Sequence, residues 1–214
     1  MSADLAIDHL VVAAADLEAG ARWCEAVLGV TPGAGGRHAA MSTHNRLLNV
    51  GSAALPDVYL EIIAVDPQAP PPGRVRWFGL DALDLSGGPR LVHWAMRTSA
   101  LDATLAVWSA LGVDTGRVLD LWRDTPAGRL AWRLTVRDDG RLVAGGAWPT
   151  PIEWASEHPA RRMPASPVVL RSLTLRGVPA GAVRAQGVTI ADDDGPALQA
   201  VFDTPRGPAT LCSA

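Results

Sequence analysis

His9 and Glu61 lie 52 residues apart in the first part of the chain, and His93 and Glu153 lie 60 residues apart in the second. Imidazole and carboxylate exchange protons near neutral pH and are common donors to divalent metals. Strand alternation puts His9 on one face with Ile7 and Val11. In Tyr59-Leu60-Glu61-Ile62-Ile63 it puts Leu60 and Ile62 on one side and Tyr59, Glu61 and Ile63 on the other. Each half thus offers one histidine from its opening strand and one glutamate from its closing strand. The plainer alternative is a pair of hydrogen-bonded strand histidines with two solvated glutamates.

These residues are positioned by an internal repeat. Ile7-Asp8-His9-Leu10-Val11-Val12 precedes a helical pattern from Leu17 to Leu28, with Asp16 as N-cap and Gly29 as stop. Leu91-Val92-His93-Trp94-Ala95-Met96 precedes a second pattern from Ala100 to Leu111, with Ser99 and Asp102 spaced like a capping box and Gly112 as stop. Strands are expected over 45–51 and 58–65 after the first helix. After the second they are expected over 117–123, 129–137 and 152–155, the first two joined by a turn at 124–128. The expected fold is α+β, with paired βαβββ modules over 1–66 and 89–156. A truncated third module over 167–214, with a short helix, packs on the same domain. Proline-rich stretches at 67–73 and 157–167 read as linkers. Two modules packed edge to edge would leave a cleft between their sheets.

Other groups could line that cleft. Arg37, His38, His44 and Asn45 form a polar cluster, and Arg37 or Arg46 could pair a ligand carboxylate or phosphate. The same cluster could be a polar loop satisfying its own turns. Tryptophan supplies eight of eleven aromatics. Trp122 and Trp132 could flank a planar or greasy ligand, whereas Trp94 and Trp154 are expected to pack under helices, because they neighbour His93 and Glu153 on alternating strands.

Composition narrows the rest. The chain has 214 residues, a formal net charge of -3 and 48% hydrophobic residues, so disorder and a nucleic-acid partner are both disfavoured. All nineteen basic residues are arginine, which excludes lysine Schiff-base chemistry. Cys24 and Cys212 have no CxxC spacing. The N-terminal stretch lacks a basic region and its apolar run is broken by Asp8, His9 and Asp16. It reads as neither a signal peptide nor a membrane span, and a cytoplasmic protein with no membrane partner is expected.

The stretches IDHLVVAAADLEAG, GGRHAAMSTHNRLLNVG, YLEIIAVDP, LVHWAMRTSALDA and TPIEWAS resemble the vicinal oxygen chelate superfamily, and within it the glyoxalase-like domain proteins. The resemblance covers most of residues 7 to 155, with THNRL and LEIIAVDP as its most specific segments. It implies a divalent metal (Zn, Ni, Mn, Fe or Co by donor type) held by His9, Glu61, His93 and Glu153, with His44 as a substitute for His93. It implies lyase, isomerase or dioxygenase chemistry on a small molecule with vicinal oxygens, with Glu61 or Glu153 as base. Arg37, His44, Asn45, Trp122 and Trp132 would touch substrate. Two alternatives stand beside this: a metal-free small-molecule binding protein of the same fold, and an interaction role in which the chain forms a homodimer.

Overall fold

The computed structural model describes residues 5–126 and 128–213. The first half runs β1 (Ala6–Ala13), α1 (Leu17–Leu28), β2 (Gly33–His38), β3 (Thr43–Asn49) and β4 (Tyr59–Val65). The second runs β5 (Arg90–Arg97), α2 (Leu101–Ala110), β6 (Arg117–Thr125), β7 (Gly128–Val136) and β8 (Thr150–Trp154). Together these strands form one eight-stranded sheet, ordered β2-β3-β4-β1-β5-β8-β7-β6. Each half has the same connectivity, with its first strand beside and parallel to its last. The halves join where β1 runs antiparallel to β5.

Local chemistry explains the helices. Asp16 caps α1 by accepting from the Ala19 amide at 2.7 Å, and Gly29 ends it in the left-handed region at φ 78°. The capping box expected for α2 does not form. Ala100 is its N-cap and offers no side-chain bond. Asp102 turns outward to Arg133, at 3.0 Å, and the free Leu101 amide donates to Glu153 instead, at 3.3 Å.

The sheet has an outer and an inner face. Leu10, Val12, Leu60, Ile62, Trp94 and Met96 face outward, into the core shared with α1 and α2. A second sheet completes that core: β9 (Val169–Leu175), β10 (Val188–Ile190), β11 (Leu198–Thr204) and β12 (Gly207–Cys212), ordered β10-β9-β11-β12. Leu170, Leu173, Ala200 and Phe202 of this sheet are fully buried there. Its strand order differs from that of either half. The short helix expected in this segment is absent among the described residues, because Pro179 and the left-handed glycines 177, 181 and 187 make it a string of turns.

The inner face becomes a cleft because the sheet curls until its edge strands β2 and β6 touch. The strand β2, missed by sequence patterning, is glycine-rich for this reason. A Cβ on Gly36 would lie 2.0 Å from Arg123 Nη1, and one on Gly35 would lie 2.1 Å from Asn45 Oδ1. Between the halves, the segment 66–89 runs beneath the inner face and inserts Trp77 and Phe78 into its core. Phe78 adopts φ 58° there, unusual for an aromatic residue, and is held between Trp77 and His93. Among the described residues no helix is long and apolar enough to cross a membrane.

Candidate active site

The register of β1 against β5 contains two bulges, and they fix the site. Asp8 is the extra residue on β1, between Ile7, paired with Met96, and His9, paired with Ala95. Val92 is the extra residue on β5, between His93, paired with Val11, and Leu91, paired with Val12. A bulge breaks strict alternation, so Asp8 can join His9 on the inner side. Asp8 is fully buried and accepts three hydrogen bonds: His9 Nδ1 at 2.6 Å, His158 Nε2 at 2.9 Å and Trp154 Nε1 at 2.9 Å. The Ala160 amide donates to His158 Nδ1 at 3.2 Å, which leaves the proton of His158 on the nitrogen facing Asp8.

His9 therefore turns Nε2 toward Glu61, whose Oε2 lies 3.6 Å away. Tyr59 stacks on the imidazole with ring centroids 4.6 Å apart. Glu61 is held from its other oxygen, where Asn45 Nδ2 donates at 2.6 Å. The same amide group reaches His38 Nε2 at 3.3 Å, while Asn45 Oδ1 accepts from the Gly36 amide at 2.7 Å and faces Arg123 Nη1 at 3.5 Å. A continuous polar chain thus runs from His158 through Asp8, His9, Glu61 and Asn45 to Arg123. Around it Trp77, Phe78, Trp132, Trp154 and Leu134 wall a narrow cleft of about 40 Å³, partly open to solvent.

Burial sets the charges. For Asp8 burial is the largest single effect and opposes ionisation, yet the hydrogen bonds from His158 and His9 outweigh it and hold the carboxyl well below its usual range. For His9 burial again opposes the charge, but the Asp8 hydrogen bond and the carboxylates of Asp8 and Glu61 raise its affinity for a proton. His38 goes the other way: burial, then the positive charge of Arg123, push it down to about 3. The surroundings of His9 therefore favour its protonated form, whereas those of His38 behind it favour the neutral one.

A family model for the glyoxalase-like domain matches residues 7–202. The chain belongs to the glyoxalase-like domain family. Among solved structures this glyoxalase-like protein is similar to a hypothetical protein from Staphylococcus aureus, with a TM-score of 0.56 and 15% identity over 80% of this chain and 69% of that one. Methylmalonyl-CoA epimerase from Mycobacterium tuberculosis aligns at a TM-score of 0.44 and 20% identity, over 72% of this chain and 90% of its own. The Streptomyces coelicolor methylmalonyl-CoA epimerase aligns at 0.46 and 20%, over 71% and 98%. No curated protein matches.

The four-ligand metal set expected of this glyoxalase-like domain does not fit its residues. His93 sits at the inner face, but both ring nitrogens are engaged, Nδ1 with the Gly146 carbonyl at 3.0 Å and Nε2 with Thr150 Oγ1 at 2.8 Å. Glu153 lies on the outer face, paired to Arg133 at 3.1 Å and to the start of α2. His44 is no substitute, because it alternates with Asn45 on β3 and so faces away from the cleft. Among the described residues no group of three or more His, Cys, Asp or Glu side chains is arranged to hold an ion. His9 Nε2 and Glu61 Oε2 face each other as a pair.

Of the expected substrate contacts, Asn45 and Trp132 line the cleft. Arg37 is instead an exposed side chain bound to Gln68 and Asp66. Trp122 is 59% exposed and lies against Arg129, with 4.1 Å from guanidinium to ring centroid. Trp154 is in the cleft and not under a helix, since it alternates with the outward Glu153. Asp8, His158 and Arg123 emerge only from the structure. For Arg123 a sequence signal existed: Leu119, Leu121 and Arg123 share a parity, so an arginine ends an inward apolar stripe.

Proposed function

We propose that this glyoxalase-like protein binds a small carbonyl compound in the β1/β4 cleft and moves a proton on it without using the four-ligand metal set. The carrying observation is the His9 Nε2 to Glu61 Oε2 approach of 3.6 Å inside an aromatic-walled cleft. Glu61 is the base. It takes a proton from the carbon next to the carbonyl, and the C–H electron pair becomes a C=C bond. His9, kept protonated by Asp8, delivers its Nε2 proton to the carbonyl oxygen, giving an enol. His9 recovers its proton from the enol oxygen as Glu61 returns one to the carbon on the same face, or as solvent at the open mouth of the cleft supplies one to the opposite face while Glu61 passes its own to solvent, which completes an epimerisation. Asn45 orients Glu61, and Asp8 fixes the tautomer of His9 by accepting from Nδ1.

The test is exchange with solvent. A panel of 2-oxo and 2-substituted carbonyl compounds in D₂O, followed by proton NMR, should include members that take up deuterium at the carbon beside the carbonyl. The exchange should vanish in Glu61→Gln and in His9→Gln. Panel members that bind with no exchange would leave a binding protein of the same fold, the reading favoured by the indole-lined walls.

A further inference from the structure

The ligand class can be read from one guanidinium. Arg123 projects inward from β6, half-buried, with its Nε enclosed and without a hydrogen-bond partner. Its only polar contact among the described residues is Asn45 Oδ1, a neutral oxygen at 3.5 Å. The two cleft carboxylates are committed elsewhere: Asp8 to three donors, and Glu61 to Asn45 and His9. Asn45 stands between Glu61 and Arg123 as a spacer, giving its N–H to one and its oxygen to the other. The other arginines near this end are paired, Arg46 with Glu18 at 2.5 Å and Arg37 with Asp66 at 3.4 Å. The Arg123 guanidinium lies in the space a side chain at position 36 would take, so the glycine leaves room for it.

A charged group brought into a cleft beside neutral partners calls for a counter-ion. A guanidinium fork matches a planar, two-oxygen anion. Trp132 and Trp154, with centroids 5.5 Å apart, and Trp77 add flat apolar walls beside it. We infer that the ligand is a planar organic carboxylate, its anionic end on Arg123 and its conjugated body against the exposed face of the indole pair, with the carbon to be deprotonated lying toward Glu61. This rests on the proton-transfer reading of the same site. A phosphate would want more donors than this end of the cleft offers, since the nearby Gly36 amide is already given to Asn45.

Benzoate and its neutral isostere benzamide test the class, by calorimetry and tryptophan fluorescence on the full chain. Benzoate should bind at least about tenfold more tightly than benzamide. Arg123→Met should abolish that preference, weakening benzoate far more than benzamide, and Arg123→Gln serves if the methionine variant does not fold. Benzamide binding as tightly as benzoate, benzoate binding unaffected by loss of the guanidinium, or inorganic phosphate competing as well as benzoate would each overturn the assignment. If the charge preference fails while deuterium exchange persists, only the carboxylate falls. If neither compound binds and no exchange occurs, the proton-transfer reading falls with it.

Discussion

His93 occupies in the second half the place that His9 occupies in the first, and their surroundings shift the two proton affinities in opposite directions. The β1/β5 register proves the equivalence, since His9 pairs with the residue two beyond His93 and His93 pairs with the residue two beyond His9. Their neighbours have diverged. The bulge residue before His9 is Asp8, and the one before His93 is Val92. Glu61 sits opposite Val11, and the corresponding residue opposite Ala95 is Thr150, not Glu153. The second half has thus kept the imidazole and replaced both carboxylates by a methyl-bearing side chain and a hydroxyl. Burial then dominates, and the proton affinity of His93 falls to about 3 despite the Gly146 hydrogen bond.

This divergence fixes the pH dependence of stability. His38 and His93 have folded values of about 3, below the ordinary 6.5, so the unfolded chain binds more protons as pH falls below 6.5 and stability drops. His9 has a raised folded value, so its contribution is full below 6.5 and is lost as pH climbs through that raised value. Asp8 adds to the acid limb, because its depressed carboxyl stabilises the fold above 3.8 and ceases to do so as pH falls through the folded value. Urea unfolding at a series of pH values should give maximal stability near 6.5, with an acid slope of about 1.4 kcal/mol per pH unit for each buried neutral histidine. The acid limb should flatten in His93→Gln and the alkaline limb in His9→Gln. Stability that keeps rising through pH 8 would contradict the charged state of His9.

Asp8→Asn should be costly in a specific way. An amide can accept only through one oxygen, whereas Asp8 serves three donors with two. The variant leaves His9, His158 or Trp154 facing an N–H group, and a loss of about 2 to 4 kcal/mol is expected. More tellingly, the His9 imidazole should titrate at lower pH than in the wild type, as read from its ring carbon and nitrogen shifts. An unchanged His9 titration would show that Asp8 is not what holds its proton.

The repeat was legible because it is written in two signals that survive divergence: apolar alternation and the glycine stops at Gly29 and Gly112. So were α1, the facing of Tyr59, Glu61 and Ile63, and the pairing of His9 with Glu61. What failed was counting by residue type across the copies. Glu153 resembles the partner of Glu61 in sequence, but it stands three positions past Thr150, and an odd shift on a strand reverses the face. Trp122 was misplaced by the same parity, and its neighbour Arg123 was overlooked. Asp8 was hidden because alternation assigns it to the face opposite His9, and only a bulge, which no single sequence announces, brings both inward. The strand β2 was unreadable for a different reason: its glycines respond to the approach of β6, a contact that exists only after the sheet has curled.

The separation of donors has a consequence for metals. Because His93 is closed by Gly146 and Thr150, and Glu153 by Arg133 and α2, an ion entering the cleft would meet only His9 and Glu61 of the expected set. Two protein donors fall short of the three or four typical of tight zinc sites. Protein purified without chelator should carry well under one equivalent of Zn, Ni, Mn, Fe or Co by plasma mass spectrometry, and added metal should leave its melting temperature unchanged. One equivalent that disappears in His9→Ala or Glu61→Gln would show that the cleft rearranges to recruit further ligands.

The two glutamates offer the sharpest contrast. Glu61 is buried in the cleft with one oxygen toward His9, so Glu61→Gln removes the base while keeping the bond to Asn45 available through its carbonyl oxygen. Deuterium uptake should fall by about 100-fold or more. Glu153 supports the start of α2 by accepting from the Leu101 amide and holding Arg133 across β7. Glu153→Ala should therefore leave uptake within about twofold of wild type while costing about 1 kcal/mol of unfolding free energy, a capping loss. Measuring both variants by proton NMR and by urea unfolding separates the roles. If Glu153→Ala were the one to stop exchange, the register that makes Thr150, and not Glu153, the equivalent of Glu61 in the repeat would have no bearing on the chemistry.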